Sequence, residues 1–216
     1  YSLNVTGNLS TWVTNDAFTP ELAQYKLDDL LPVLSIATSP QVIVARTDSQ
    51  ITTAHEFVKY IRNPGRDVNI AIGSTVQYLI FGLVMDKSHG DREHVKQIMY
   101  KGPAQALLDV AGGHTEFGMM PLSVAAQQIK AGKVKLIALT GNKREPASPG
   151  VPAMKELLPS VEVMAMWNIT LPKDTPKEVV DWYVKVFSEA IKSDNVKRYF
   201  ADNYINTPPD LDPASS

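Results

Sequence analysis

The sequence predicts an α/β protein whose strands and helices alternate along a mostly parallel sheet. From Val68 to Leu139, short runs suited to strands are followed repeatedly by runs of helical period, and this alternation is the signature of βα units. Glycine turns stand where strand passes into helix, at Gly73-Ser74-Thr75 and at Tyr100-Lys101-Gly102-Pro103. In sheets of this kind, ligands bind outside the carboxyl ends of the strands, beside helix N-termini.

The elements follow in order. Tyr1 to Val5 alternates apolar and polar residues as a half-buried strand does. Thr6 to Thr19 is polar and turn-rich, and Pro20 opens a helical pattern to Leu31. Strands are expected at Val33–Thr38 and Gln41–Arg46, split by Ser39-Pro40. Thr53-Ala54-His55-Glu56 has capping-box spacing before an apolar face of Phe57, Val58 and Ile61, and Asn63-Pro64-Gly65 ends that helix. Then come strand Val68–Ile72, helix Thr75–Lys87, strand Val95–Met99, helix Pro103–Ala111, strand Thr115–Met119, helix Leu122–Ala131 and strand Val134–Leu139. Gly141 to Pro152 reads as loop and Val161–Leu171 as a long apolar strand carrying Trp167. Thr175-Pro176-Lys177-Glu178 combines a cap, an early proline and an acid three residues on. Val179, Trp182, Tyr183, Val186, Phe187, Ala190 and Ile191 form the stripe that this helix is expected to bury. A short helix at Asn195–Ala201 and a frayed tail from Pro208 complete the chain.

The 216 residues suffice for one large or two small cores. Lys+Arg 21 against Asp+Glu 23 leaves a formal charge of −2, which gives no reason to expect nucleic acid or a membrane surface as partner. Without cysteine there are no disulfides, thiolate metal sites or cysteine nucleophiles. The chain opens in strand with no Met before it and no visible signal peptide, so a mature protein or a fragment is expected.

Gly73-Ser74-Thr75 can be an oxyanion cradle of backbone N–H groups and hydroxyls, or an ordinary helix cap. Gly102-Pro103 carries the same two readings, because proline fits the first helical turn and the helix dipole favours an anion there. His89 and His94 lie among Asp86, Asp91 and Glu93. Their spacing matches no common metal motif, and a solvated connection is the simpler reading. No Gly-x-Ser-x-Gly elbow, P-loop or Gly-x-Gly-x-x-Gly is present. Trp167 is either core or a ligand wall.

Tyr100-Lys101-Gly102 with Ala104, Ala106 and Gly112-Gly113 resembles the solute-binding proteins of tripartite tricarboxylate transporters, the Bug or TctC-like family. So do Ile129-Lys130-Ala131-Gly132-Lys133-Val134, Lys143-Arg144, Pro149-Gly150-Val151-Pro152, Trp167 and Thr175-Pro176-Lys177-Glu178-Val179-Val180. Order and spacing agree from about Tyr1 to about Asn206.

The resemblance implies a bilobed type II periplasmic binding protein fold. Residues 1–42 and 167–216 would form a first lobe whose N-terminal part is missing, and 43–166 the second. It implies no cofactor and no catalysis. It also implies a small carboxylate ligand, membrane permease subunits as partners, a periplasmic location and a monomer. Carried over position by position, the ligand-binding candidates are Asn8 and Ser10; Gly73, Ser74, Thr75 and Gln77; Tyr100, Gly102, Pro103 and Ala104; Met120 and Ser123; and Trp167. Met120 stands where the family often has Asp or Asn, which suggests a different or more apolar ligand. The loop at Gly73 is shorter than the family's usual one. A sensory effector-binding domain of a regulator on the same fold is the alternative.

Overall fold

The computed structural model describes residues 4–7, 26–145 and 148–208. Asn8, Ser10 and the start of the expected helix at Pro20 lie outside them. The chain divides into two compact units, Tyr1–Ser39 with Ala165–Ser216, and Pro40–Met164.

The second unit holds the expected βα run. Its elements are the C-terminal half of β2 (Leu30–Arg46), α1 (Ala54–Arg62), β3 (Val68–Ile72), α2 (Thr75–Ser88), β4 (Val95–Met99), α3 (Pro103–Ala111), β5 (Phe117–Pro121), α4 (Leu122–Lys130) and β6 (Val134–Leu139). β3 pairs parallel with β4 and with β5, whereas β2 runs antiparallel between β5 and β6. The sheet is therefore mixed, and its parallel ladders among the described residues are β3–β4 and β3–β5.

Helices cover both faces of this sheet. On one side Phe57 of α1, Phe81 of α2 and Phe117 of β5 meet edge to face, with ring centroids 5.0 Å apart for Phe57–Phe117 and 6.4 Å for Phe57–Phe81. Ile43, Ile70, Ile72 and Met119 join them in one buried cluster. On the other side α3 lies so close to β5 that a Cβ on Gly118 would stand 2.8 Å from Val110 Cγ2. α1 carries the expected capping box: the Glu56 N–H donates to Thr53 Oγ1 at 3.2 Å, and the Thr53 N–H to Glu56 Oε2 at 3.0 Å. Glu156 accepts from Arg144 through both oxygens and from the Ala153 N–H, and these bonds hold its carboxyl down at about 2.

Several elements depart from the sequence expectation. β2 is one strand of 17 residues rather than two. Pro40 does not break it because no ladder bond requires an N–H there. Thr38 pairs with Asn206 just before, and the ladder to β5 begins at Gln41 just after. Leu30 and Leu31 belong to this strand, not to a helix. β5 starts two residues later than expected, because the His114 and Thr115 N–H groups are used to close α3 on Asp109 O. β7 (Met164–Pro172) likewise starts after Val161 and Val163 have bonded to Leu158 O and Thr140 O.

In the first unit β1 (Asn4–Gly7) runs antiparallel to β7, with Gly7 opposite Trp167. Thr175 does not cap α5 (Lys177–Ile191): its hydroxyl donates back to Pro172 O at 2.6 Å, and Pro176 is the cap residue. The apolar stripe of α5 is not buried as expected. Ile191 is buried, but Trp182 is 56% exposed and Val186 37%. Trp182, Tyr183 and Phe187 instead pack on one another along the helix. Amphipathic spacing decides which face is apolar, not what covers it. α6 (Asp194–Asp202) completes the unit.

The Phe57 ring is the hub of the buried cluster, so Phe57→Ala should lower the stability of the second unit by about 3–5 kcal/mol. Urea unfolding followed by circular dichroism checks this. A cost below about 1 kcal/mol would mean the three rings do not form a tight core.

Candidate functional site

The carboxyl ends of β3, β4, β5 and β6 and the start of the β2 ladder meet at one edge of the second unit. Register shows this: Gln41 lies opposite Pro121, Val42 opposite Leu139, and Ile72 beside Met99. Each strand end there leads into a helix start or a turn.

The turns after β3 and β4 are pressed together at Gly73. A Cβ on Gly73 would lie 2.6 Å from the carbonyl carbon of Gly102 and nearer still to Pro103 N and Cα. Only glycine allows this approach of backbone to backbone. As a result the N-termini of α2 and α3 stand side by side.

Ser74 is the N-cap of α2, and its Oγ accepts from the Gln77 N–H at 3.3 Å. The Gly73 N–H is already used: it donates to the buried Gln77 Oε1 at 2.9 Å. It is not the free donor that an oxyanion cradle at this turn would need. The Thr75 and Val76 N–H groups have no intrahelical acceptor by position, and no side chain among the described residues caps them. At α3 the cap is Gly102, which has no side chain, and Pro103 has no N–H. The Ala104 and Gln105 N–H groups are thus open in the same way.

The remaining candidates divide by burial. Tyr100 is half-buried, and its hydroxyl donates to Asp109 Oδ2 at 2.7 Å, which staples the turn to α3. Burial, with the Asp109 bond and charge, pushes the phenol up to about 12. Met120 is fully buried. β5 is covered on both faces, so residues on either side of the strand are enclosed; Met120 lies against Gly118 beneath α3. Ser123 is half-buried in the first turn of α4. Trp167 is half-buried on β7 of the first unit.

Gln41 and Thr140 join this edge without having been foreseen. Gln77 Nε2 donates to Gln41 Oε1 at 3.3 Å. The Gln41 N–H donates to Thr140 Oγ1 at 3.1 Å, and the Thr140 hydroxyl donates to Val163 O at 2.6 Å. A polar residue opening the apolar run Val42–Ala45 was the available signal for Gln41. The hydrogen-bonded groups at this edge are neutral amides and hydroxyls beside two helix N-termini, and exposed Lys101 stands in the turn after β4. Elsewhere, His94 Nδ1 lies 2.8 Å from Asp91 Oδ2, a pair that raises the imidazole and lowers the carboxyl.

A family model described as the tripartite tricarboxylate transporter family receptor matches residues 4–209. The chain belongs to that family. Among curated family relatives, a UPF0065 protein from the tcbD-tcbE intergenic region of Pseudomonas sp. (strain P51) is 28% identical over 193 residues, 87% of this chain and 56% of the relative. The chain spans about half the length of the curated relatives it matches. Among solved structures, MatC from Rhodopseudomonas palustris with bound malate is 24% identical, with a TM-score of 0.82 over 99% of this chain and 73% of that one. The periplasmic binding protein BugD is 25% identical, with a TM-score of 0.76 over 86% and 62%. The fold is therefore the α/β type II periplasmic binding protein fold that the resemblance implies, and this receptor family consists of solute-binding proteins rather than enzymes.

The close approach at Gly73 makes a paired test. Gly73→Ala forces backbone against backbone and should cost about 3 kcal/mol or more, at or beyond the upper end of ordinary overpacking. Gly102→Ala has open space and extended backbone, and should change stability by less than about 1 kcal/mol. Melting temperatures of the two variants check the contrast, and equal effects would contradict the geometry.

Proposed function

We propose that this chain is the binding part of a periplasmic solute receptor that captures a small organic acid and delivers it to the permease subunits of a tripartite transporter. Residues 43–166 supply one wall of the cleft, and residues 1–42 with 167–216 contribute to the other lobe. Binding, not chemistry, is the task, and the protein works as a monomer.

One observation carries this reading. The Gly73 approach sets two helix N-termini side by side with the Thr75, Val76, Ala104 and Gln105 N–H groups uncapped. Each helix end carries about half a positive charge, so a carboxylate is favoured there without any cationic side chain. Ser74 and Thr75 hydroxyls, both half-buried, add donors at the same turn. Malate in the MatC structure is an acid of the same class on the same fold. Closure follows if the acid touches both lobes only in the closed form, because a ligand shifts an equilibrium by its differential affinity alone.

Isothermal titration with di-, tri- and aromatic carboxylates should give at least one binder of about 1 µM or tighter, near −8.2 kcal/mol. Thr75→Pro tests the donors. Proline is compatible with the first helical position, and Ser74 before it is already extended, so the change removes the N–H together with the Thr75 hydroxyl and keeps the helix. Loss of one hydrogen bond to a charged group, about 1.5–3 kcal/mol, should weaken that binder roughly ten- to hundred-fold. No binding across the panel, or unchanged affinity in Thr75→Pro, would overturn the proposal.

A further inference from the structure

We propose that Gln41 donates a side-chain N–H directly to an oxygen of the bound acid, and that Gln77 is the positioning residue that aims it. This rests on the carboxylate reading above.

The orientation of both amides is dictated by one backbone group. The Gly73 N–H can only donate, so the end of Gln77 that it meets at 2.9 Å must be the carbonyl Oε1. The other end of Gln77 is then its NH2, and the atom it meets at 3.3 Å must be Gln41 Oε1. That turns the Gln41 NH2 away from Gln77. The Gln41 backbone is held as well, since its N–H and carbonyl are both engaged by Thr140.

The Gln41 NH2 has no hydrogen-bond partner among the described residues, although Gln41 is only 2% exposed. Nor is it one of the fully enclosed unpaired atoms, which are Arg46 Nε, Gln97 Oε1 and Thr115 Oγ1. It therefore reaches the small accessible area that Gln41 keeps, at the strand edge beside Gly73 and Pro121. A buried donor pair with no acceptor is costly unless something supplies one. An oxygen that only accepts, as in a carboxylate, satisfies it. An ammonium group, which only donates, does not. Gln77 never touches the acid in this arrangement. It transmits the fixed direction of the Gly73 N–H to Gln41.

The test compares wild type, Gln41→Met and Gln41→Glu, with malate and adipate as probes, by titration calorimetry at pH 7.5 and pH 5. Melting temperatures are recorded alongside. Gln41→Met should bind at least tenfold more weakly at both pH values. Gln41→Glu should lose at least a hundredfold at pH 7.5, where its carboxylate faces the acid. At pH 5, close to the ordinary carboxyl range of about 4.3, it should recover at least tenfold relative to wild type at the same pH. In wild-type protein, the Gln41 side-chain amide resonances should shift on adding whichever acid binds. That measurement stands even if a variant fails to fold. If the wild type binds an acid but both variants bind it equally well, and the amide resonances do not move, the role of Gln41 is overturned alone. If the wild type binds neither malate nor adipate, and no other carboxylate, the carboxylate reading falls and this inference with it.

Discussion

The contact between the Gly73 backbone and the Gly102-Pro103 backbone is the constraint on which the functional edge depends. It is steric, and it needs no charge. With any side chain at position 73 the turns after β3 and β4 would have to separate, and the N-termini of α2 and α3 with them. With glycine there, two partial positive ends share one small volume. Proline at 103 fits the same logic: it preorganises the first turn of α3 at a position whose N–H had no intrahelical partner.

A second layer of order lies behind this contact. The Gly73 N–H, Gln77, Gln41, Thr140 and Val163 O form a continuous run of hydrogen bonds through the carboxyl edge of the sheet. Every member is neutral. A buried neutral relay fixes the direction of dipoles without the desolvation cost of buried charges. It also explains why Gln77 is enclosed although it sits in the first turn of a helix. Its side chain is occupied inside the protein.

Legibility in the sequence followed the range of the interaction concerned. The βα run from Val68 to Leu139 was readable because hydrophobic period, glycine turns and proline at a helix start are all local signals, and β3, β4, α3 and β6 have the bounds they implied. The continuity of β2 through Pro40 was not readable, because it depends on which N–H groups the neighbouring strands require. Burial of the α5 stripe failed for a related reason: the pattern names an apolar face but not its cover. At the functional edge, Gly73, Ser74, Gly102 and Pro103 were visible as turn chemistry. The engagement of the Gly73 N–H, the enclosure of Met120 and the entry of Gln41 all arise from contacts between segments far apart in sequence.

The central claim is that an acid is held by the uncapped amides at the joined helix starts. The most direct measurement is a proton–nitrogen correlation spectrum of the labelled protein during titration with a carboxylate that binds. The account predicts the largest shifts at the amides of Thr75, Val76, Ala104 and Gln105, with smaller ones at Gly73, whose N–H is already bonded to Gln77. Largest shifts elsewhere, such as along α5 around Trp182 or on α1 around His55, with these four amides unmoved, would contradict it.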